Sequence, residues 1–583
     1  MKKKVVSVLL SLAMVASMAA CGNDTPSSST NSQPADTSQS SADAGADAST
    51  TEEETLDYTY GETFYSEVPV TYTMFWSDHE GYPYKDTWEI FNKIEELTNV
   101  KIDFKDYSIA RADYDDKKAL MINAGQSAYI IPKTYDESAF VDGGAIISVS
   151  EWAQYMPNYT AFIEEYDLYE NIDTMRKADD KYYRLPGLKE AAEQDYTLMI
   201  RKDIFDAAGV DVEVLEKDWH WEDLYDALVT VKAYMVAEGM CKESDYIWSD
   251  RWSGGGDGTG GNLLKIMGSS YGVPSGWAVS DGKAFDHEKG EWYFASNSDD
   301  YKEFVTMANK FVEGRLLDPE TFTQTDEVAS QKFFRGDTVI FSSNKSVYAE
   351  YIENMNNTLG EDNYEVYITV YPMGNKSYAA ENGRTESGVM IASKALTELG
   401  EEEFTKMMRF VDWLFYSDEA YDLTKWGVEG KTYEYATDAE TGMEIKQLLP
   451  QWYCGGLSIG QTSDNQKDMR IELGYAGGVF YYGGTVAQVS DAYNPVLQDY
   501  FKRSNEYRTI KPLDPGVAGE EDETEQLTLW KTPLIDNVNS WTLKFITGQN
   551  DIEADWDAYI SSCENLMCNQ MINMVNEIYS RNQ

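Results

Sequence analysis

Tryptophans and charged side chains surround a glycine-rich stretch in the middle of the sequence. Trp248, Asp250, Arg251 and Trp252 precede the glycines, and Trp277 follows them. Sugar sites use this combination, because aromatic rings stack on the C–H faces of a sugar while polar groups hydrogen-bond its hydroxyls. With 15 Trp and 42 Tyr, the chain holds more such rings than a core normally needs. The segment predicts a carbohydrate platform, although a core role stays open for each single ring.

Two serine motifs test the alternative of a hydrolase. Residues 456–460 and 268–272 both match G-x-S-x-G, whose serine needs a histidine later in the chain. All three histidines precede Ser458, so the first match fails. The second precedes His287, but the interval is too short for that fold and holds only two aspartates. We predict no enzyme; a glycoside hydrolase remains the rival, although 101 acidic residues specify no carboxylate pair.

No cofactor or metal is predicted. Residues 256–261 match G-x-G-x-x-G, but Asp257 stands where a phosphate would lie and no βαβ unit with a ribose-binding acid is evident. The three scattered histidines form no metal pattern. The four cysteines beyond Cys21 also form no metal or disulfide pattern, and we expect all four to be buried apolar groups: Cys241, Cys454, Cys563 and Cys568.

The charge of the chain limits its partners. Lys and Arg number 48 against 101 Asp and Glu, which gives a net charge of −53. Nucleic acid is excluded as a partner, because phosphate binding depends on Lys and Arg. The same charge argues against an anionic membrane face and, more weakly, favours neutral over anionic ligands.

Periodicity places one candidate loop at the end of a strand. Residues 70–76 form a β-rich run, and a polar turn at 77–83 follows. A helix capped by Asp86 or Thr87 then carries Trp88, Phe91, Ile94 and Leu97 on one face, ends at Asn99, and leads into a strand over 100–104. This βαβ start predicts a mainly parallel sheet, in which ligands bind at the carboxyl ends of strands. The turn after Trp76 is therefore a candidate binding loop.

Later segments continue the mixed pattern. The predicted elements are a strand at 196–200, a helix from Lys202, helices at 221–234 and 301–312, a strand at 338–341, a helix at 404–416, and one long terminal helix carrying Trp556, Tyr559, Cys563, Leu566, Ile572 and Ile578. No fixed-period repeat is present, which excludes a solenoid or propeller.

The first 21 residues have the layout of an export signal. Three lysines precede an apolar run that is too short to span a bilayer, and small residues lead to Cys21. A cysteine at that position looks like the lipobox of bacterial lipoproteins, so we predict a signal peptide at 1–20 and a lipid anchor on Cys21. Residues 22–55 are Ser, Thr, Ala, Asp and Pro without an aromatic, which predicts a disordered tether, about 35 Å in mean span, within a segment of 21–60.

Several segments of the remaining chain carry motifs of one family. They are 178–186 (ADDKYYRLP, similar to DGK-Y-LP), 200–210 (IRKDIFDAAGV, similar to R-D-LD-LG), 411–417 with 426–433 (VDWLFYS and WGVEGKTY, similar to DYLYS … GIEG-Y), and 545–548 with 556–559 (FITG and WDAY, similar to a closing helix). Together they resemble the extracellular solute-binding proteins of bacterial ABC importers, in the long oligosaccharide-binding subgroup of the maltose-binding-like class. The subgroup's calcium loop is not carried over, because 236–245 lacks the Asp-x-Asn-x-Asn-Gly spacing.

The resemblance implies an α/β, two-lobed periplasmic-binding-protein fold of type II with a helical C-terminal third over 61–583. Lobe one is expected at about 66–190 and 340–395, and lobe two at about 191–339 and 396–583. It implies a monomeric receptor that passes an oligosaccharide to an ABC permease; a secreted hydrolase and a binder of a peptide or other non-sugar solute remain alternatives. Predicted ligand contacts are Trp76, Asp78, Tyr82 and Tyr135 from lobe one, Asn344 beside the hinge, Trp248, Asp250, Arg251, Trp252 and Trp277 from lobe two, and Trp426, Glu429 and Trp452 from the helical third.

Overall fold

The fold is taken from a computed structural model that describes most of the chain after residue 57. The described residues are 58–583 without 193, 195, 252–260, 275–281, 345–346, 380–382, 438–443, 458, 478, 481–482 and 486–493. The predicted signal peptide, Cys21 and almost all of the predicted tether therefore lie outside them, as do Trp252 and Trp277. Elements are numbered in chain order.

Two stretches of chain, 58–189 and 385–484, build the first lobe. Its elements are β1 (Val70–Thr73), β2 (Trp76–Asp78), α1 (Glu89–Thr98), β3 (Val100–Asp103), β4 (Ser108–Ala110), α2 (Tyr114–Asn123), β5 (Ile130–Thr134), α3 (Ser138–Val141), α4 (Pro157–Glu165), α5 (Tyr169–Asp173), β6 (Leu185–Lys189), β12 (Thr385–Ile391), α13 (Ser393–Leu399), α14 (Glu401–Tyr416), α15 (Asp418–Trp426), β13 (Tyr433–Thr437), β14 (Glu444–Leu448), β15 (Trp452–Tyr453), β16 (Lys467–Asp468), α16 (Met469–Leu473) and β17 (Gly483–Gly484).

The second lobe is built from 196–379 and 495–581. Its elements are β7 (Tyr196–Arg201), α6 (Lys202–Ala207), α7 (Val212–Leu215), α8 (Trp221–Ala237), α9 (Gly261–Ser270), β8 (Lys283–Asp286), β9 (Glu291–Phe294), α10 (Asp299–Glu313), α11 (Asp326–Phe334), β10 (Ile340–Asn344), α12 (Tyr348–Leu359), β11 (Val366–Thr369), α17 (Pro495–Tyr507), α18 (Glu521–Ile546), α19 (Ile552–Asn565) and α20 (Cys568–Arg581). The helical C-terminal part predicted from the sequence is confirmed.

The βαβ start of the chain is confirmed, but the mainly parallel sheet predicted from it is wrong, because β12 pairs antiparallel with β5 and β6, and β7 pairs antiparallel with β10 and β11. β1 and β3 pair in parallel from Val70–Val100 to Thr73–Asp103, and α1 connects them. Asn99 ends α1 in the left-handed conformation (φ 57°), which its short polar side chain tolerates. The predicted cap is wrong by one or two residues: Trp88 occupies the N-cap position, and its buried indole anchors the start of α1 by donating to the Ile471 carbonyl at 2.9 Å.

Each lobe contains its own sheet. In lobe one, β5, β12, β6 and β17 form a four-stranded sheet, and a parallel bridge from Met74 to Ile130 brings the β1 end of the chain alongside β5. In lobe two, β7 lies between β10 and β11 and pairs antiparallel with both. The amino end of β7 therefore lies beside the carboxyl ends of β10 and β11, next to the crossing between the lobes.

The buried apolar residues of the described chain divide cleanly between the two lobes. One large cluster draws only on lobe one and another only on lobe two, and the three smaller clusters are equally unmixed. The chain changes lobe three times, between Lys189 and Tyr196, between Ala379 and Thr385, and between Gly484 and Pro495. Two separately packed bodies joined by three short crossings are the architecture of a hinged pair of lobes.

This division corrects the predicted lobe boundaries. The stretch 340–369 belongs to lobe two, because β10 and β11 complete the sheet around β7. The stretch 396–484 belongs to lobe one, because α14 buries Phe404, Phe410 and Trp413 in the lobe-one core. Helical periodicity alone did not reveal which sheet a helix covers, and that choice decides the boundary.

The long terminal helix predicted from the sequence is two helices. α19 ends at Asn565 and α20 begins at Cys568, and Met567 between them adopts a left-handed conformation (φ 71°). Cys454, Cys563 and Cys568 are buried as expected, whereas Cys241 is half-buried. Among the described residues, no helix combines the length and apolarity that crossing a membrane requires.

Candidate functional site

Three strands of lobe one end at the same edge of the molecule. β2 pairs in parallel with β4, so Asp78 and Ala110 finish side by side, and β5 finishes nearby at Thr134. The residues that follow these ends form the loop surface expected to face a ligand. Arg111 follows β4 and is exposed, and Tyr135 follows β5 and is 69% exposed.

An aromatic and cationic stack stands on this edge. The rings of His79 and Tyr82 are parallel with centroids 4.2 Å apart, and the Arg470 guanidinium lies 4.9 Å from the Tyr82 ring centroid. Arg470 is itself held by Asp468, with Nη2 to Oδ2 at 2.8 Å. The His79 ring accepts from the Gly81 amide at 3.0 Å, which fixes the turn that carries Tyr82. Both rings are half-buried, so the stack is preorganised and partly accessible, and aromatic rings of this kind contact sugars.

A polar groove lies between the lobes beside this stack. One wall is α12 of lobe two and the other is the loop 460–464 of lobe one, and the enclosed volume is about 500 Å³. Its lining residues are Tyr348, Ala349, Ile352, Glu353, Asn356, Asn357, Gly460, Gln461, Thr462, Ser463 and Asp464. Amide, hydroxyl and carboxylate groups dominate this lining, and these groups pair with sugar hydroxyls.

Tyr453 lies close to both the groove and the stack. Its pKa is raised, by desolvation first and then by the charges of Asp468 and Glu353. Asp468 holds Arg470, while Glu353 lines the groove on α12. Tyr453 therefore lies within electrostatic range of both the stack on lobe one and the groove between the lobes.

Two tryptophans predicted to bind ligand, Trp76 and Trp426, are core residues of lobe one. Trp76 is 1% exposed and packs edge-on against Phe104 at 5.3 Å between ring centroids. Trp426 is also 1% exposed and packs against Tyr433. Trp76 begins β2, so its side chain still points into the sheet core, and the accessible surface starts only where the strand ends.

The Trp248 and Asp250 pair in lobe two is also buried. The Trp248 indole donates to Asp250 Oδ2 at 2.8 Å, and the Ser342 hydroxyl donates to Asp250 Oδ1 at 2.6 Å. Both residues are fully buried, and burial raises the pKa of Asp250. The carboxylate therefore ties the 248–251 segment to β10 instead of facing a ligand.

Six of the other predicted contacts have a described exposure, and all six are at least partly accessible. Tyr82 belongs to the stack, and Tyr135 stands at the same edge. Asp78 is half-buried and accepts from the Tyr84 amide at 2.7 Å, which gives it a role in the turn. The positions of the remaining predictions are as follows: Arg251 and Trp452 are half-buried, Glu429 is exposed, and Asn344 is the last residue of β10.

Sequence reasoning missed most residues of the stack, the lobe-one edge and the groove. Arg111 lies just beyond β4, a three-residue strand that the periodicity did not reveal; the alternation at 108–110 was its only signal. The polar run 460–464 has the composition of a loop, but nothing in it indicates that α12 lies opposite. Arg470 and Asp468 flank the start of a five-residue helix, whose position depends on the tertiary fold.

The second serine motif holds no triad. Ser270 is 1% exposed, and its hydroxyl donates to the Met267 carbonyl at 2.6 Å while accepting from the Trp221 indole at 2.8 Å. His287 instead contacts Asp514 at 3.1 Å. Within the described ranges, no group of three or more His, Cys, Asp or Glu residues is arranged to hold a metal ion.

Comparison with solved structures identifies the fold. The chain superposes on the alginate-binding protein AlgQ2, crystallised without calcium ion, with a TM-score of 0.63 and 15% identity, covering 89% of this chain and 99% of that one. It superposes equally (TM-score 0.63, 15% identity, 88% and 99% coverage) on an HMO-binding ABC-transporter-associated solute-binding protein from Bifidobacterium longum infantis. An S. pneumoniae ABC-transporter substrate-binding protein, FusA, in complex with kestose gives 0.61 at 18% identity, with 88% and 99% coverage. No protein-family model and no curated protein matches the sequence. The two-lobed fold of solute-binding proteins is confirmed.

Proposed function

We propose that this protein is the receptor of a bacterial ABC importer, which captures an oligosaccharide between its lobes outside the cell and delivers it to a membrane permease. The ligand would enter the open cleft, rotation about the three crossings would bring the lobes together, and the permease would bind the closed form. The receptor would act as a monomer, since one chain supplies both walls of the site.

The observation that carries this proposal is the groove shared by two independently cored lobes. A hinge between separate cores lets the walls close around a ligand without unfolding either core. The lining offers many neutral donors and acceptors beside an aromatic stack, which suits a ligand rich in hydroxyls. The solved structures named above are described as binding alginate, HMO or kestose, and the superpositions cover almost the whole folded chain.

Calorimetry against a panel of neutral and acidic oligosaccharides tests the proposal. We expect saturable heat with at least one glycan and no release of shorter products from it. Product release would favour the rival hydrolase. Absence of heat with every glycan would overturn the sugar-binding function.

A steric plug tests whether the groove is the site. Gly460 has an ordinary backbone conformation, and a Cβ there would lie 3.4 Å from Glu353 Oε2 across the groove. We expect Gly460→Phe to fill the groove and abolish binding. The matched control is Gly143→Phe, because Gly143 is an exposed lobe-one glycine with open space around its Cβ position. Equal affinity of the two variants would exclude the groove.

The proposed lipid anchor on Cys21 gives the receptor its location at the outer face of the cell membrane. We expect Cys21→Ala to release the protein into the medium with its sugar affinity unchanged. Retention of this variant in the membrane fraction would contradict the anchor, whatever the result of calorimetry.

A further inference from the structure

Cationic groups gather at the lobe-one edge of the cleft, although the protein is strongly acidic. The pKa of His79 is lowered by desolvation first, and then by the nearby charges of Arg111, Arg470 and Lys133. These residues come from four segments: the loop after β2, the turn after β4, the carboxyl end of strand β5, and α16. In a chain of net charge −53, such a convergence of positive charge is a local exception.

Among the described residues, two cations at this edge pair with an aspartate, whereas the exposed Arg111 does not. Arg470 is held by Asp468, and Lys118 by Asp115 at 2.7 Å. Arg111 is exposed, and its guanidinium makes no hydrogen bond or ion pair within the described part of the chain. Other acids at this edge include Asp78, which accepts from a turn amide, the exposed Glu80, and Glu386 near Tyr135, which pairs with Lys189 at 3.1 Å.

Lys133 shares the neighbourhood of Arg111 and sits on a strained backbone. Its φ of 52° is rare for a residue with a side chain, and the strand irregularity at Gly388–Met390 lies opposite this end of β5. Desolvation first, and Arg111 second, lower the pKa of Lys133 to about 8, while the charge of Asp115 acts in the opposite direction. Strain of this kind persists where the surrounding fold holds a residue for a task.

A carboxylate would be attracted by the charges of both Arg111 and Lys133, whereas a neutral sugar would not. The planar guanidinium matches a carboxylate with two parallel hydrogen bonds, and a second nearby cation adds attraction. Tyr135, at the end of the same strand as Lys133, is exposed at 69% and offers a ring for the sugar that carries the acid. The overall acidity of the protein, which favours neutral ligands at long range, is therefore opposed locally.

We infer that the ligand is an acidic oligosaccharide, with a uronate or sialate carboxylate bound by Arg111 at the lobe-one edge of the cleft and by the adjacent Lys133. This inference rests on the proposed sugar-binding function and specifies its substrate class. Neutral residues of the same chain would occupy the groove between α12 and 460–464.

Calorimetry with paired probes separates charge from sugar identity. The pairs are a trigalacturonate and its methyl ester, and sialyllactose and lactose, each measured with the full mature chain. We expect the acidic member of a pair to bind at least 10-fold tighter than its neutral partner. Arg111→Gln should weaken binding of the acid about 10- to 100-fold, the range of a lost charge-assisted hydrogen bond, and should weaken binding of the neutral partner far less. Arg111→Lys should recover part of the loss.

Arg335→Gln is the control for net charge, because Arg335 is an exposed residue of lobe two that pairs with Asp337 away from the groove lining. Equal effects of the Arg111 and Arg335 variants would overturn the inference, as would equal affinity for acid and ester, and the proposed function would survive either result. Failure of every glycan, acidic and neutral, would instead overturn the proposed function itself.

Discussion

Each lobe joins two separate stretches of chain, and one buried carboxylate closes each join. In lobe one, Asp412 from the second stretch binds groups of the first; in lobe two, Glu216 from the first stretch binds groups of the second. Both side chains are essentially unexposed. The two lobes therefore solve the same assembly problem, but they use different chemistry.

The lobe-one join uses neutral donors. Asp412 accepts from the Tyr58 hydroxyl at 3.0 Å, from the Asn158 amide groups at 2.8 and 3.0 Å, and from the Tyr159 backbone N–H at 2.8 Å. Because burial outweighs these bonds, the pKa of Asp412 is raised to about 6.

The lobe-two join uses a cation. Arg503 of α17 donates to Glu216 at 2.6 Å, and the same carboxylate accepts from the Tyr367 hydroxyl at 2.8 Å and the Val370 N–H at 2.8 Å. The second lobe therefore depends on a balanced pair of charges, whereas the first depends on an acid whose burial is only partly compensated by hydrogen bonds.

The largest expected effect comes from breaking the charge balance in lobe two. Glu216→Gln keeps the shape but leaves the Arg503 guanidinium without its buried partner, so we expect the free energy of unfolding to fall by about 3 kcal/mol. Urea denaturation measures the loss, and hydrogen exchange should place it in α17. Asp499→Asn is the control, since this exposed residue holds the other side of Arg503 at 2.6 Å and should cost under about 1 kcal/mol. Equal losses would contradict the buried join.

Replacing the buried carboxylate of the lobe-one join should lower the free energy of unfolding at pH 7 by less than Glu216→Gln does. Asn at position 412 can still accept at one oxygen, but its amide NH₂ would face the donating Tyr159 N–H. We expect Asp412→Asn to cost about 1–2 kcal/mol, with faster exchange in α4. Asp179→Asn is the matched control in the same lobe, because the exposed Asp179 also accepts from a tyrosine hydroxyl, Tyr183 at 2.6 Å. No difference between the variants would remove Asp412 from the join.

These joins show what the sequence could and could not predict. Local periodicity located β1, α1 and α14 well, because each has an amphipathic or β-rich pattern of its own. Neither periodicity nor the family resemblance placed α14 in the correct lobe, because the partners of Asp412 lie more than 250 residues away in the chain. The 411–417 motif was informative as a resemblance, and the structure gives its aspartate a role in holding the lobe together. The site was harder to predict, because tryptophan serves core and ligand equally well and composition does not report exposure.

The pH dependence of lobe one should isolate the raised pKa of Asp412. Because Asp412 binds its proton more tightly in the folded state, protonation of Asp412 stabilises the fold. This contribution is fully present below pH 3.8 and is lost as pH rises through about 6. The stability difference between wild type and Asp412→Asn should therefore be larger at pH 4 than at pH 7, by about 2 kcal/mol. Urea denaturation at both pH values measures it, and a difference that grows with pH would contradict the sign.

The smallest expected effect comes from a carboxylate whose pKa is lowered on folding. Its contribution to stability should therefore change with pH in the direction opposite to that of Asp412. Glu523, near the start of α18, pairs with Arg581 of α20 through two oxygens at 2.7 and 2.8 Å, and this bond lowers the pKa of Glu523 to about 2. Its contribution is present above pH 4.5 and is lost as pH falls through about 2. Because the pair is close to solvent, Glu523→Gln should cost under about 1 kcal/mol at pH 7 and less at pH 3. A loss of stability on Glu523→Gln that grows on acidification would contradict this prediction, because that pH dependence is the one expected for Asp412→Asn.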